Sequence, residues 1–332
     1  MLLSIALLHA SAAGAAPAYK LAKAVPLGAP DRWDYVVSDP ESRRVYVAHG
    51  DRLTVVDGRS GAILGNVEGI AGGTHGTAIS AATGEGYTDD GRSGLAIAFN
   101  LKTLQVTKRI PAAPDADAIA RDKVTGHIFI IEGDPASITV IDPRTDSAVA
   151  TIAVGEGLEY GAGDDRGAVY VAGVAKGDLI KIDARSNRVV ARWAATGCTR
   201  PHGLAVDKVS RRVFLGCANS VMAVLDADTG RQVATLPIGR GNDAMAFDPK
   251  RKRVFSSNGA DGTISVFREV TPNRYEPLET IATKVSGRTM DVDTVSGRLF
   301  VAAADTDPNP TPGGRPRARP GSLSLLMFDP VD

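Results

Sequence analysis

An apolar run centred on an aromatic residue repeats along the chain. It reads Val45-Tyr46-Val47, Gly86-Tyr87-Thr88, Ile128-Phe129-Ile130, Val169-Tyr170-Val171, Val213-Phe214-Leu215, Val254-Phe255-Ser256 and Leu299-Phe300-Val301, with 41 to 45 residues between successive aromatics. A second apolar run follows in most units and closes on an acidic or amide residue, as in Val55-Val56-Asp57, Ala98-Phe99-Asn100, Val140-Ile141-Asp142, Lys181-Ile182-Asp183, Val224-Leu225-Asp226 and Met327-Phe328-Asp329. The sixth unit departs from this with Val266-Phe267-Arg268. In the fifth unit the pattern predicts four strands, 203–206, 212–216, 221–226 and 232–236, separated by turn-forming Asp207-Lys208-Val209-Ser210, Ala218-Asn219-Ser220 and Asp228-Thr229-Gly230. No helical periodicity is sustained after the N-terminus.

Seven units of four short strands predict an all-β fold, a seven-bladed β-propeller, because one four-stranded sheet buries both faces only when neighbours stack on it. The last unit ends after three strands. Its missing outer strand is expected at the other end of the chain, where 19–28 (YKLAKAVPLG) matches 232–239 (QVATLPIG) in register. Lending that strand to the last blade closes the ring and leaves no open sheet edge.

The repeat spans residues 18–332 and leaves no room for a second domain. Ahead of it, Leu2-Leu3-Ser4-Ile5-Ala6-Leu7-Leu8 and the small residues Ala13-Gly14-Ala15 read as a signal peptide over 1–17, although no basic residue precedes the apolar run. A periplasmic or secreted protein is expected, and the run is too short to span a bilayer. With 38 basic and 38 acidic residues the net charge is zero, which argues against a nucleic-acid binder.

The units resemble the YVTN repeats of bacterial YncE-like propellers, most clearly in Arg211-Arg212-Val213-Phe214-Leu215, Val224-Leu225-Asp226 and Val233-Ala234-Thr235-Leu236-Pro237-Ile238-Gly239. The likeness covers nearly everything after residue 18. It implies an exported seven-bladed propeller, and because relatives of that fold range from ligand binders to lactonases and lyases, it implies no activity.

Chemistry is expected where the units differ. Twelve residues before each aromatic stand Asp34, His75, Asp117, His202, Asp243 and Arg288, and Glu159 takes this place in the shorter fourth unit. These seven open the innermost strands and are expected to converge on a top-face funnel. The column seven residues before the aromatic, Asp39, Ser80, Asp122, Asp207, Asp248 and Asp293 with Asp164 in the short unit, reads instead as turn chemistry. Mixed acids, imidazoles and a guanidinium suggest separate tasks; repeated aspartate suggests one.

Asp34, His75, Glu159, His202 and Asp243 are candidate ligands for zinc, copper, manganese or calcium, with affinity expected to fall as the histidines protonate near pH 6.5. A flanking set three residues after each aromatic includes His49, Asp90, Glu132, Cys217 and Asn258. His49, Asp117 and Asn258, with Trp33, Tyr35 and Tyr160, are candidate ligand-binding residues, the aromatics giving an apolar wall or else inter-blade packing. Cys198 and Cys217 are expected to form a disulfide near His202. The proline- and arginine-rich 305–320 interrupts the last unit, either covering the funnel or extending into solvent.

There is no G-x-S-x-G, P-loop, Rossmann fingerprint, HExxH or CxxC. The expected function is therefore binding of a small ligand or metal ion in the funnel, with a protein partner also open. The alternative is a metal- or His/carboxylate-dependent hydrolase or lyase acting on a small lactone, ester or uronate, with His75 or His202 as general base and Arg288 holding a carboxylate or oxyanion.

Overall fold

A computed structural model describes residues 18–307 and 317–331. Seven four-stranded antiparallel sheets form the ring, and each of the first six is built from four consecutive strands. The fifth blade is typical, with strands Pro201–Asp207, Arg212–Cys217, Val221–Asp226 and Gln232–Pro237 running from the axis outward. The sixth blade carries the unit that broke the pattern. There Val266-Phe267-Arg268 lies inside a long hairpin, Thr263–Thr271 and Arg274–Ala282, which continues past the usual Asp turn.

The repeated aromatics are the core. Tyr46, Tyr87, Phe129, Tyr170, Phe214, Phe255 and Phe300 are all 1% exposed or less, each wedged between its own sheet and a neighbour. At roughly 25 cal/mol per Å2 of apolar surface, one such ring contributes a few kcal/mol, so the seven define the stacking of the blades.

Closure occurs as the sequence predicts. The strand Tyr19–Pro26 pairs antiparallel with Ser324–Pro330, from Tyr19 opposite Pro330 to Pro26 opposite Ser324, with one bulge between Leu21 and Lys23. This strand also ties the last blade to both neighbours. Glu279 of blade six accepts the backbone N–H groups of Ala18 and Tyr19, each at 3.0 Å, and the Lys23 ammonium donates to the Ser60 carbonyl of blade one at 2.5 Å.

The aspartate column is turn chemistry. Asp39, Asp122, Asp164, Asp207, Asp248 and Asp293 each accept a backbone N–H two or three residues on, which satisfies the tight turn below each inner strand. Cys198 and Cys217 are disulfide-bonded and join the loop entering blade five to the end of its second strand. Closing that loop contributes about 3 kcal/mol on the chain-entropy account.

The proposed leader, 1–17, lies outside the described residues, as does 308–316 of the proline- and arginine-rich segment. The base of that segment is a short two-stranded stem in which Thr306 bridges Ala318, and Asp31 caps its return through the N–H groups of Gly321, Ser322 and Leu323. Among the described residues no helix is long and apolar enough to cross a membrane.

Removing residues 1–26 strips the outer strand from blade seven and frees the edge of Ser324–Pro330. The truncated chain is expected to aggregate or melt far below the full chain. A monomer of unchanged Tm in size-exclusion chromatography and calorimetry would contradict closure by this strand.

Candidate functional site

The seven ionisable residues of the predicted column line one cavity. Asp34, His75, Asp117, Glu159, His202, Asp243 and Arg288 surround a funnel of about 700 Å3 at one end of the central channel. Each leaves the regular ladder of its blade. In blades three, four and five the pairing slips at the column, between Ala116 and Ala118, Leu158 and Gly161, and Pro201 and Leu204, so that Asp117, Glu159 and His202 sit in bulges. In blades one, two, six and seven the column residue precedes the first paired residue of its inner strand. Freed from the ladder, the side chains turn toward the axis.

The next column explains how they come so close. It reads Tyr35, Gly76, Ala118, Tyr160, Gly203, Ala244 and Thr289: two large residues and five small ones. A Cβ on Gly76 would stand 2.6 Å from the Ile119 nitrogen, and one on Gly203 would stand 2.6 Å from the Ala244 carbonyl carbon. Glycine is therefore needed beside both His75 and His202. Tyr35 and Tyr160 pack edge to face with centroids 4.8 Å apart. Tyr35 is buried in the apolar core, and Tyr160 lines a second cavity of about 550 Å3 with Val37, Ile79 and Ile119 further along the inner strands. Two of the three expected wall residues thus lie outside the funnel lining, and of the three Trp33 alone belongs to it. Alternation along the strand puts the residue after each ring position on another face.

Two linked groups of charge make up the ring. In the first, His202 Nδ1 lies 3.0 Å from Glu159 Oε1 and 3.7 Å from Asp243 Oδ1. Arg288 then bridges Asp243 and Asp34, and it also donates to the Trp33 carbonyl at 2.9 Å. Its guanidinium is thus paired with two of the ring's own carboxylates while still lining the funnel. In the second group His75 Nδ1 donates to Asp89 Oδ2 at 2.7 Å, while Asp89 Oδ1 accepts the backbone N–H groups of His75 and Gly76. Asp89 is fully buried, and His75 Nε2 has no hydrogen-bond partner among the described residues.

Asp89 was not among the expected site residues, because the flanking set was placed one residue too far along its strand. In a strand, neighbours face opposite ways. Two residues after the aromatic, Asp89 reaches His75, and Ser257 bonds the Ala244 backbone and the Arg288 carbonyl. Three residues after it, the side chains point into the blade. His49 is buried, with Nε2 donating to the carbonyls of Gly28 at 3.2 Å and Pro30 at 2.8 Å and Nδ1 against Thr54, and burial lowers its pKa. Asn258 is buried and donates to Thr263 and Ser265. His49 and Asn258, expected from the sequence as ligand-binding residues, are placed by the structure outside the funnel lining, where both hold their blades together.

Of the five proposed metal ligands, three come together. Glu159, His202 and Asp243 each offer one ligand atom within 4.8 Å of the others, whereas Asp34 faces Arg288 and His75 faces Asp89.

Crowding shows in the protonation equilibria. Burial, followed by Glu159 and Asp34, pushes Asp117 up to about 8. Burial and Asp243 outweigh Arg288 and push Asp34 up to about 6. Burial alone would lower His75, but Asp89, with Asp34 and Asp117 behind it, raises it to about 9. The Glu159 hydrogen bond raises His202 as well. Both histidines therefore stay protonated above their ordinary range, and metal would compete with protons at higher pH than the sequence suggested.

No protein-family model matches the chain, and no curated protein matches it. Solved structures do. Hydrazine synthase of Kuenenia stuttgartiensis matches with a TM-score of 0.71 at 14% identity, over 84% of this chain and 93% of that one. The WD40 repeats of RRP9 give 0.76 at 13%, over 93% and 97%. A chain of the mitotic checkpoint complex gives 0.75 at 13%, over 99% and 97%. At such identities the likeness establishes the propeller fold alone.

Asp89→Asn is expected to bring the His75 pKa down from about 9 toward 6.5 in an NMR titration of the ring protons. An unchanged midpoint would mean that Asp89 does not set it. A second test uses Asp117, whose pKa is raised from 3.8 to about 8. A raised carboxylate pKa costs nothing below the unfolded value, and the cost grows between the two values and is constant above the folded one. Asp117→Asn should therefore leave Tm unchanged near pH 4 and raise it increasingly up to about pH 8. A gain independent of pH would refute the crowding account.

Proposed function

We propose that this is an exported propeller whose funnel binds a divalent cation on Glu159, His202 and Asp243. The observation that carries the proposal is the convergence of these three side chains, from three consecutive blades, with ligand atoms within 4.8 Å of one another. Their side chains are 14 to 20% exposed, shielded enough to strengthen a cation's field yet open to the funnel. One imidazole with two carboxylates suits zinc, manganese or copper better than calcium, which prefers an all-oxygen shell. Three protein ligands also leave coordination positions for a small molecule.

Export is supported by the disulfide, since such bonds persist in oxidising compartments, and by the resemblance of the repeats to YncE-like propellers. One structural relative is a component of a protein complex. That supports a protein partner only as a secondary role of the outer faces.

The His75–Asp89 pair favours a second reading, a hydrolase or lyase acting on a small lactone, ester or uronate. A buried carboxylate fixes the His75 tautomer and leaves Nε2 open to the funnel, the arrangement proton transfer needs. With its pKa raised, His75 would enter as the proton donor and not as the general base. Turnover of a lactone and ester panel by metal-loaded protein would move the assignment from binding to catalysis.

Isothermal titration with Zn2+ and Mn2+ tests the binding proposal. One ion is expected per chain, with affinity rising with pH through a midpoint above 6.5, because His202 must lose its proton to ligate and its pKa is raised. His202→Ala and Glu159→Gln should each weaken binding at least tenfold, the lower end of what losing one ligand costs. Binding equally tight in both variants, or none at any pH, would overturn the assignment.

A further inference from the structure

The funnel has a second pole that the cation does not use. Blades four, five and six supply the Glu159, His202 and Asp243 cluster. On a seven-bladed ring the wall opposite blade five is made by blades one and two, and there the funnel is lined by Arg32, Trp33, Thr74 and His75. Three of these carry hydrogen-bond donors without an acceptor among the described residues. The Arg32 guanidinium is exposed and has no hydrogen-bond or ion-pair partner among the described residues, although the funnel floor is rich in carboxylates. The Trp33 Nε1 is buried without an acceptor. His75 presents Nε2, its Nδ1 being held by Asp89.

The acids nearest this wall are Asp34, Asp89 and Asp117. Asp34 is turned to Arg288 through Oδ2, with Thr289 bonding its backbone carbonyl. Asp89 lies behind His75, fully buried and saturated by two backbone N–H groups and the imidazole. Asp117, on the far side of His75, is held largely neutral at pH 7 by its crowding. The Asp89 carboxylate on Nδ1 favours the protonated imidazole, whose Nε2 then donates. What faces the funnel from blades one and two is thus the Arg32 guanidinium and the His75 imidazole, the latter paired with Asp89 behind it, beside the Asp34 carboxylate that Arg288 holds.

We propose that the small molecule bound here is a dicarboxylate: one carboxylate fills the open positions of the cation on Glu159, His202 and Asp243, and the other is received by Arg32 and His75 Nε2. The inference deepens the cation-binding proposal and rests on it for one end of the ligand. The other end rests on the donor wall alone. A planar guanidinium and an imidazolium lining the same wall offer donors suited to the oxygens of a carboxylate. A diamine would satisfy the acidic pole but leave these donors unpaired, and a monocarboxylate would satisfy one pole only.

The test titrates malate into the full chain with and without saturating Mn2+, using acetate and putrescine as comparison ligands. Malate is expected to bind more tightly than either, and more tightly with Mn2+ than without. Arg32→Gln and His75→Gln should each weaken malate by about tenfold or more, the worth of one charge-assisted hydrogen bond. Circular dichroism and Tm confirm that each variant is folded. If malate binding depends on Arg32 and His75 while Mn2+ alone does not bind, the donor wall stands and the cation proposal falls. If Mn2+ binds but malate is no tighter than acetate, or is unaffected by both substitutions, the dicarboxylate inference falls and the cation proposal stands.

Discussion

Closure of the ring is the constraint on which everything else depends. Seven sheets stack around one axis only if the last meets the first without an open edge, and the pairing of Tyr19–Pro26 with Ser324–Pro330 makes that junction. Once the ring is closed, the starts of seven inner strands are fixed around a channel. Any residue type placed there meets its six counterparts at a distance set by the fold. The site is therefore a consequence of closure, and its chemistry is chosen one residue per blade.

That geometry forces like charges together. Ligand atoms of Glu159 and Asp243 lie within 4.8 Å. Two like unit charges at about that distance repel by roughly 3 kcal/mol at an effective dielectric near 20. The protein offsets this with Arg288 between Asp34 and Asp243, with His202 between Glu159 and Asp243, and with a proton retained on Asp117. Each is a local substitute for a bound cation. Such a network has more to gain from a cation than an apolar pocket would, since a bound cation would replace protons that the site holds.

The fold was legible because its signal is repeated. One buried aromatic per blade, spaced by one sheet's worth of chain, survives drift in every other position. The ring was legible for a related reason: its column mixes acids, imidazoles and a guanidinium, whereas the column five residues later is nearly all aspartate and proves to be turns. The finer site was not. Whether Asp89 or Asp90 reaches His75 turns on strand parity, which a one-residue error inverts. The bulges at Asp117, Glu159 and His202 leave no residue-type mark. The contact between Tyr35 and Tyr160 was written in the sequence as two large residues among five small ones, but its meaning needed the axis.

The central claim is that the funnel holds a cation at one defined place. Anomalous diffraction from crystals grown at pH 8.5 with Mn2+ tests it most directly. The account predicts one peak per chain, about 2.0–2.2 Å from a carboxylate oxygen of Glu159, a carboxylate oxygen of Asp243 and Nδ1 of His202. A funnel without a peak, or a peak held by other residues, would contradict it.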